Sequence, residues 1–373
     1  MTNVLEPYGA GNGQRLIVAG GGTGGHLFPG VAVAQAFLAR HSHNKVMFIN
    51  SGRPLDTNVL NRLGWPYKTI PIEGIKHRGA WKQLRALFKI PRAISCSAAI
   101  LREFAPHVVL GVGGYSAGPV VVAAWLKGIP TALHEQNQLP GLTNRLLRRI
   151  VKRVYLTFKD TGRRFNPHKT VITGNPVRDE IIALGDQQPA IKEKRRFDLL
   201  LLGGSQGAHA INQAMMEALP LLKDQTELHV VHQTGTEDEA DVAKAYAEAG
   251  ISAQVKAFFN EVAELYLQAD LIICRAGATT VAEITAVGRA AVFVPFPHAA
   301  DDHQTSNAQA LVTTGAAEMI AQKDLNGEIL AKTILAYMQD RTRLADMAGK
   351  AMTLGRPEAA LTIVDDLYQL IGR

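Results

Sequence analysis

Arg15-Leu16-Ile17-Val18-Ala19-Gly20-Gly21-Gly22-Thr23-Gly24-Gly25-His26 decides the fold. Leu16 to Ala19 are four apolar residues in a row, which predicts a short strand buried on both faces. Five of the six residues from Gly20 to Gly25 are glycine. Pro29 then opens an amphipathic run, Val31 to Leu38, which predicts a helix with Pro in its first turn. A strand, a glycine turn and a helix N-terminus form a site for an anion, because the backbone approaches closely and the free N–H groups favour negative charge. Gly20, Gly22 and Gly25 also satisfy the dinucleotide fingerprint G-x-G-x-x-G. That fingerprint needs an acid at the end of the second strand. Here the second strand, Lys45 to Ile49, runs into Asn50-Ser51-Gly52-Arg53 without one, so no nicotinamide cofactor is expected.

The pattern repeats. Phe197 to Leu202 leads into Gly203-Gly204-Ser205-Gln206-Gly207 and a helix near 210–222. Strands are expected near 15–19, 45–49, 67–72, 107–111, 130–134, 153–157 and 169–173, and after the restart near 228–233, 253–257, 270–274, 290–294 and 316–320. Helical patterns separate them, which predicts an α/β protein with parallel sheets. The polar stretch 185–196 reads as a linker between two nucleotide-fold halves, and 357–370 as one amphipathic helix with Pro at its start. Two such halves face each other across a cleft at the carboxyl ends of their strands.

A chain of 373 residues suits two domains with separate cores. No run approaches a membrane span. Residues 1–14 lack the basic and apolar regions of a signal peptide and read as a disordered tail. Two cysteines, Cys96 and Cys274, make no disulfide framework, and the cytoplasm is the expected compartment. The net charge of +7 hides an asymmetry: residues 1–178 hold 24 Lys and Arg against 6 acids, and residues 179–373 hold 16 against 27. A basic half suits an anionic membrane or a phosphate-bearing ligand. No zinc-finger, helix-turn-helix or RNP pattern points to nucleic acid.

The basic charge concentrates in 74–92, which carries six cations and no acid. Trp81, Leu84 and Phe88 fall on one helical face, and Lys82, Arg85 and Lys89 on the other side, the pattern of an interfacial membrane helix or of a surface helix packed on its own domain.

Other polar groups gather where strands end. Gly113, Gly114 and Tyr115 lie in a second glycine turn, GVGGYSAGP, beside which the first could hold one pyrophosphate; close helix–strand packing is the alternative. His134-Glu135-Gln136-Asn137 reads as a cleft wall, and the absence of a second histidine after His134 excludes a zinc motif. Arg178 follows GNPV at the crossover, where it neutralises a departing diphosphate or forms a structural salt bridge. In Ala278-Thr279-Thr280-Val281-Ala282-Glu283 the small residues admit a ligand against the backbone. Glu283 accepts ribose hydroxyls or completes a capping box with Thr280. Asp302 is placed to cap the next helix, with His303 and Gln304 projecting at the cleft. No isolated D-x-D stands between a strand and a loop, so no metal is expected.

Six motifs occur together: GGTGGH, GVGGYSAGP, HEQN with GLTN, GNPVR, GGSQGA, and ATTVAE with DDHQTSNA. In this order they resemble the MurG family, the undecaprenyldiphospho-muramoylpentapeptide β-N-acetylglucosaminyltransferases of glycosyltransferase family 28. The resemblance covers about 15–373. It implies a GT-B fold: two Rossmann-like domains facing a cleft, with a C-terminal helix returning to the first. The implied domains are 15–177 with the helix 357–373, binding acceptor and membrane, and 178–356, binding UDP-GlcNAc. It implies inverting transfer of N-acetylglucosamine from UDP-GlcNAc to the C4 hydroxyl of the muramoyl sugar of lipid I, without a cofactor. The partners implied are those two substrates, an anionic membrane surface at the cytoplasmic face and proteins of a wall-building complex. Thr23, Gly24, Gly25, Asn137, Arg178, Ser205, residues 278–283 and Gln304 match the donor site, and Phe259 the position whose backbone reads the uracil. Phe258-Phe259 departs from the family's usual aliphatic residue after Phe. Gly22, Gly113, Gly114 and Tyr115 are assigned to the acceptor diphosphate. His26 is the expected general base, with Glu135 as the alternative. Another lipid-acceptor UDP-sugar transferase fits the same features. So does a UDP-GlcNAc 2-epimerase, although that isomerase needs no membrane helix and more acids in its cleft.

Overall fold

The computed structural model describes residues 13–72, 80–185, 196–204, 207–259, 261–299 and 302–372, with the side chains of 80–88 outside that description. Seven parallel strands form the first sheet: β1 (Arg15–Gly20), β2 (Lys45–Asn50), β3 (Tyr67–Thr69), β4 (Val108–Gly113), β5 (Thr131–Glu135), β6 (Arg153–Leu156) and β7 (Thr170–Ile172). Their order is β3-β2-β1-β4-β5-β6-β7. Six parallel strands form the second: β8 (Phe197–Leu202), β9 (Leu228–Gln233), β10 (Ser252–Lys256), β11 (Leu271–Cys274), β12 (Ala290–Phe293) and β13 (Glu318–Met319), in the order β10-β9-β8-β11-β12-β13.

Helices alternate with the strands. Those of the first half are α1 (Gly24–Arg40), α2 (Pro54–Arg62), α3 (Ala80–Phe104), α4 (Ala117–Leu126) and α5 (Leu142–Leu147). After the crossover come α6 (Asp179–Gly185), α7 (His209–Leu222), α8 (Glu239–Ala249), α9 (Val262–Gln268), α10 (Ala278–Val287), α11 (His303–Val312), α12 (Gly327–Gln339), α13 (Arg341–Leu354) and α14 (Ala359–Ile371).

The strand period of two explains why the first strand of each sheet is apolar throughout. Leu16 and Val18 enter one core cluster and Ile17 and Ala19 the cluster on the opposite face. Leu199 and Leu201 are divided from Leu200 and Leu202 in the same way. Both sheets reverse direction beside that strand, at β1/β4 and at β8/β11, so each offers a switch-point crevice at its carboxyl end.

The last helix joins the first sheet. Ile363, Val364, Leu367 and Leu370 of α14 are buried in the cluster that holds Leu16 and Val18. Burying four such side chains contributes roughly 6–10 kcal/mol before entropy is counted. Asp366 accepts from Arg153 Nε at 3.0 Å and from Tyr155 Oη at 2.8 Å, and Arg40 pairs with Asp365 at 2.7 Å.

Two expectations change. The first helix begins at Gly24, not at Pro29, which lies inside it. Strand β4 runs through Gly113, so Gly111 to Gly113 belong to the sheet and the turn proper starts at Gly114. Most of the expected linker, 186–195, and most of the expected tail, 1–12, fall outside the described residues. Among the described residues no helix is long and apolar enough to cross a membrane.

Candidate active site

The two glycine turns of the first sheet stand side by side. Gly20 and Gly114 have φ of 140° and 80°. A methyl group on Gly20 would come within 2.4 Å of the Gly113 carbonyl, and one on Gly114 within 2.5 Å of the Gly21 carbonyl. The close approach demands glycine. One amide of the turn is already taken, because Gly22 N donates to both oxygens of Asp56 at 2.9 and 2.8 Å. Arg53 Nη1 donates to the Gly22 carbonyl at 2.9 Å. Asp56 is fully buried at the start of α2, and burial raises its pKa. In this arrangement the Gly22 N–H, expected to meet an acceptor diphosphate, binds an internal carboxylate. β2 ends without an acid, but Asp56, in the first turn of α2, grips the glycine turn.

His26 sits at the mouth of this pair of turns. Its Nδ1 lies 3.1 Å from Thr23 Oγ1. Its Nε2 edge lies against Gly113, where an added methyl would come within 2.9 Å of Nε2. Burial, and then the nearby His303 and Arg53, lower its pKa to about 4, so the ring is neutral at pH 7. Tyr115 is exposed beside it in sequence to the second turn.

Glu135, the alternative base, is engaged by the loop that follows it. It is buried, and one carboxylate oxygen accepts from Asn137 N at 3.0 Å and Asn137 Nδ2 at 3.4 Å. The other accepts from Gly141 N at 3.0 Å and Asn144 Nδ2 at 2.9 Å. Four donors on one carboxylate make it the anchor of the loop after β5. Around it lie buried polar atoms without a protein partner among the described residues: His134 Nδ1, Gln136 Oε1 and both side-chain polar atoms of Asn175. His134 Nε2 donates to the Gly174 carbonyl at 3.3 Å, which leaves Nδ1 as a bare acceptor. Such atoms are what a polar ligand or water satisfies.

The second half meets this wall directly. Asn307 of α11 is fully buried. Its Oδ1 accepts from Gln138 N at 3.1 Å, and its Nδ2 donates to Asn137 Oδ1 at 3.3 Å and to the Ala276 carbonyl at 3.2 Å. Thr279 Oγ1 of α10 donates to the Gly25 carbonyl at 3.3 Å. That carbonyl has no intrahelical donor, since the residue four positions on is Pro29. Pro29 thus keeps a helical acceptor available for the opposite half.

Arg178 and Glu283 pair with each other at 2.9 Å, with side chains only 10% and 7% exposed. Glu283 also accepts from Tyr266 Oη at 3.0 Å, and the Arg178 guanidinium lies 4.4 Å from the Phe28 ring centroid. The salt bridge is the structural alternative foreseen for Arg178, and the capping box of Glu283 does not form, since the helix N-cap is Gly277. Val281 packs into the core, so only its backbone can meet a ligand, while Thr280 and Ala282 are partly exposed. Asp302 occupies the N-cap of α11 with φ of 50° and makes no side-chain cap; its carboxylate accepts from Thr305 Oγ1 at 2.7 Å. Gln304 Oε1 accepts from Phe296 N at 2.9 Å. Gln233 links the other glycine turn to the expected base reader, accepting from Phe259 N at 3.0 Å and donating to the Gly204 carbonyl at 3.0 Å. Ser205 lies outside the described residues, as do the side chains of Trp81, Lys82, Leu84, Arg85 and Phe88; Lys89 lies on α3, partly exposed. Among the described residues no group of three or more His, Cys, Asp or Glu could hold a metal ion.

The glycosyltransferase family 28 N-terminal domain matches residues 16–156 and the family 28 C-terminal domain residues 199–363. A protein of Syntrophus aciditrophicus (strain SB), named UDP-N-acetylglucosamine–N-acetylmuramyl-(pentapeptide) pyrophosphoryl-undecaprenol N-acetylglucosamine transferase, is 49% identical over 96% of this chain and 99% of its own. The chain belongs to the MurG family of glycosyltransferase family 28. The crystal structure of Acinetobacter baumannii MurG is 34% identical, with a TM-score of 0.76 over 95% of this chain and 99% of that one. A UDP-N-acetylglucosamine 2-epimerase structure, 13% identical with a TM-score of 0.68 over 97% of each chain, shares the fold alone. Membership of family 28 makes this a GT-B glycosyltransferase with two Rossmann-like halves. Three residues of the candidate site carry no assigned role in the sequence: Asp56, Arg53 and Asn307. Asn307 stood in the quoted motif DDHQTSNA, but nothing in its spacing tells that it reaches across the cleft.

Proposed function

We propose that this protein transfers N-acetylglucosamine from UDP-GlcNAc to the C4 hydroxyl of the muramoyl sugar of lipid I, with inversion, forming lipid II. The observation that carries the geometry is the hydrogen bond from Thr279 to the Gly25 carbonyl, which sets the α10 motif against the α1 glycine turn. Residues 178–356 bind the donor, and residues 15–177 with the helix 357–373 bind the acceptor. The amides at the start of α7 and α10, with the turn around Gly204, stabilise the diphosphate of the departing UDP. With the Phe259 amide engaged by Gln233, the uracil's donor edge meets the Phe259 carbonyl. Gly113, Gly114 and Tyr115 border the acceptor diphosphate.

His26 takes the proton from the attacking hydroxyl. With Nδ1–H directed at Thr23 Oγ1, the Nε2 lone pair is left for that proton. A pKa of about 4 makes a weak base, but a bound diphosphate favours the imidazolium and raises it toward neutrality. In-line displacement then breaks the bond from the sugar's anomeric carbon to UDP as the new glycosidic bond forms.

The membrane side lies along α3 and α4, at the cytoplasmic face. Trp125 and Leu126, at the end of α4, are 48% and 65% exposed, and Leu146 on α5 is 69% exposed. Arg145, Arg148 and Arg149 surround Leu146 in sequence. Apolar anchors flanked by cations suit an anionic lipid surface. Proteins of a wall-building complex are partners on the same reading.

UDP release tests the activity. It is expected only when UDP-GlcNAc is supplied with a lipid I analogue. Release without the acceptor would mean hydrolysis of the donor, and none in either case, as a simple isomerase would give, would end the assignment.

A further inference from the structure

Two grooves meet at Arg163 and Arg164. The first, about 500 Å³, runs between the two halves, from Gln138 and Leu139 on one side to Thr305 and Ser306 of α11 on the other. The second, about 540 Å³, continues along Arg148, Arg149 and Lys169 over the buried ring of Phe165, and no acid lines it. Asp160 lines the first groove and lies 3.6 Å from Arg163, but their side chains are 64% and 85% exposed, so the contact neutralises little.

The wall of this groove is fixed to the candidate site. Thr161, buried beneath it, donates to the carbonyls of Asn137 at 3.3 Å and Gln138 at 3.0 Å. Asn307 holds Gln138 from the other side. Within the second groove Arg148 donates to the Arg164 carbonyl, and Lys169 to the Arg149 carbonyl at 3.1 Å. The groove opens beside Asn137 and Gln304, whose neighbours Gln138 and Thr305 form its inner lip.

We propose that this arginine-lined groove is the subsite for the carboxylates of the acceptor's peptide. The proposal rests on the acceptor assignment above. A muramoyl sugar carries its peptide on the lactyl ether at C3, next to the reacting C4 hydroxyl. The peptide must therefore leave the reaction centre close to the transferred bond, and the groove opens beside Gln304, whose neighbour His303 lies close enough to His26 to act on its charge. A peptide with a free C-terminus brings at least one carboxylate, and the planar guanidinium is the group that binds carboxylates bidentately.

The test uses two water-soluble acceptor analogues without vesicles: a muramoyl-pentapeptide diphosphate with a short lipid, and the same molecule with its peptide carboxylates converted to amides. Both arginines are exposed, so Arg163→Ala/Arg164→Ala folds as the parent does. On the first analogue the double variant is expected to raise KM about tenfold with little change in kcat, the scale of one or two charge-assisted hydrogen bonds. Arg163→Lys/Arg164→Lys recovers part of that loss. On the amidated analogue parent and double variant are expected to share one KM. Equal rises on both analogues would assign the arginines to general attraction for the diphosphate and overturn the proposal, as would an unchanged KM on the first. A parent protein that turns over neither analogue overturns the acceptor assignment itself.

Discussion

Glu283→Ala is expected to lower thermal stability by several degrees, and the reason is the company Glu283 keeps. Its carboxylate is 2.9 Å from Arg178 and 3.0 Å from Tyr266 Oη, with the ion pair almost wholly removed from water. Removing one partner of a buried pair costs about 3–5 kcal/mol, mostly because the other charge is left uncompensated. Glu180 lies 3.4 Å from Arg178 on the exposed side, which relieves part of that cost and favours the lower end, about 3 kcal/mol. For a unit of this size the melting temperature then falls by roughly 6–12 °C. Glu283→Gln keeps an acceptor for Tyr266 and Arg178 but loses the charge, and falls by about half as much. Arg178→Ala/Glu283→Ala is less damaging than the sum of its parts, because neither charge is stranded. Calorimetry at pH 7.5, with UDP-GlcNAc titrated into each variant, measures both properties. If Glu283→Ala melts within about 1 °C of the parent, well inside the expected drop, and loses donor affinity, the carboxylate serves the ligand's ribose and the structural reading fails.

Gly113→Ala is expected to lower kcat at least tenfold, since φ of 93° strains any side chain and the methyl would meet the His26 ring; steady-state UDP release measures it, and parental kcat would separate His26 from the chemistry. Asn307→Ala is expected to raise the donor KM and lower kcat together, because two bonds across the cleft and one to the Ala276 carbonyl are lost at once; an effect on stability alone would make it structural. For His26, the acid limb of kcat/KM is expected near pH 4, with the limb of kcat displaced to higher pH, because the bound diphosphate raises the imidazole's pKa. Stability should also fall with acid. Burial depresses His134 to about 4 and His232 to about 3. Their neutral forms stabilise the fold fully above the unfolded pKa of about 6.5, and the contribution is lost as pH falls below it. By pH 5 each costs about 2 kcal/mol. Urea unfolding at pH 7.5 and 5 checks this, and His232→Gln should remove its share of the pH dependence.

The architecture was readable because its signals are local. An apolar strand followed by glycines and a helix needs only its own neighbours to be recognised, and the stretches 15–26 and 197–209 carry that pattern twice. The site was readable as a set of loops but not as a set of partners. Arg178 and Glu283 are 105 residues apart, and nothing in the motif of either tells that the fold pairs them with each other. Asp56 is not legible from the dinucleotide fingerprint, which places its acid at the end of β2, whereas the acid that binds the glycine turn sits in the first turn of the next helix. Gly22 was read as an open donor for the same reason: a free N–H in sequence becomes a bonded one when a carboxylate 34 residues away folds over it.

Pro29 carries this argument furthest. By its type it marks a helix start, because it lacks an N–H and starts cost least there. The helix nevertheless begins five residues earlier, at Gly24, and Pro29 stands where an ordinary residue would have satisfied the Gly25 carbonyl. The missing donor is supplied by Thr279, 254 residues away in the other half. A proline that would weaken a solitary helix here leaves an acceptor facing the cleft, and the donor-side helix fills it. The pairing depends on the two halves being closed on one another. Pro29 thus ties the start of α1 to α10, since an ordinary residue in its place would satisfy the Gly25 carbonyl within the helix.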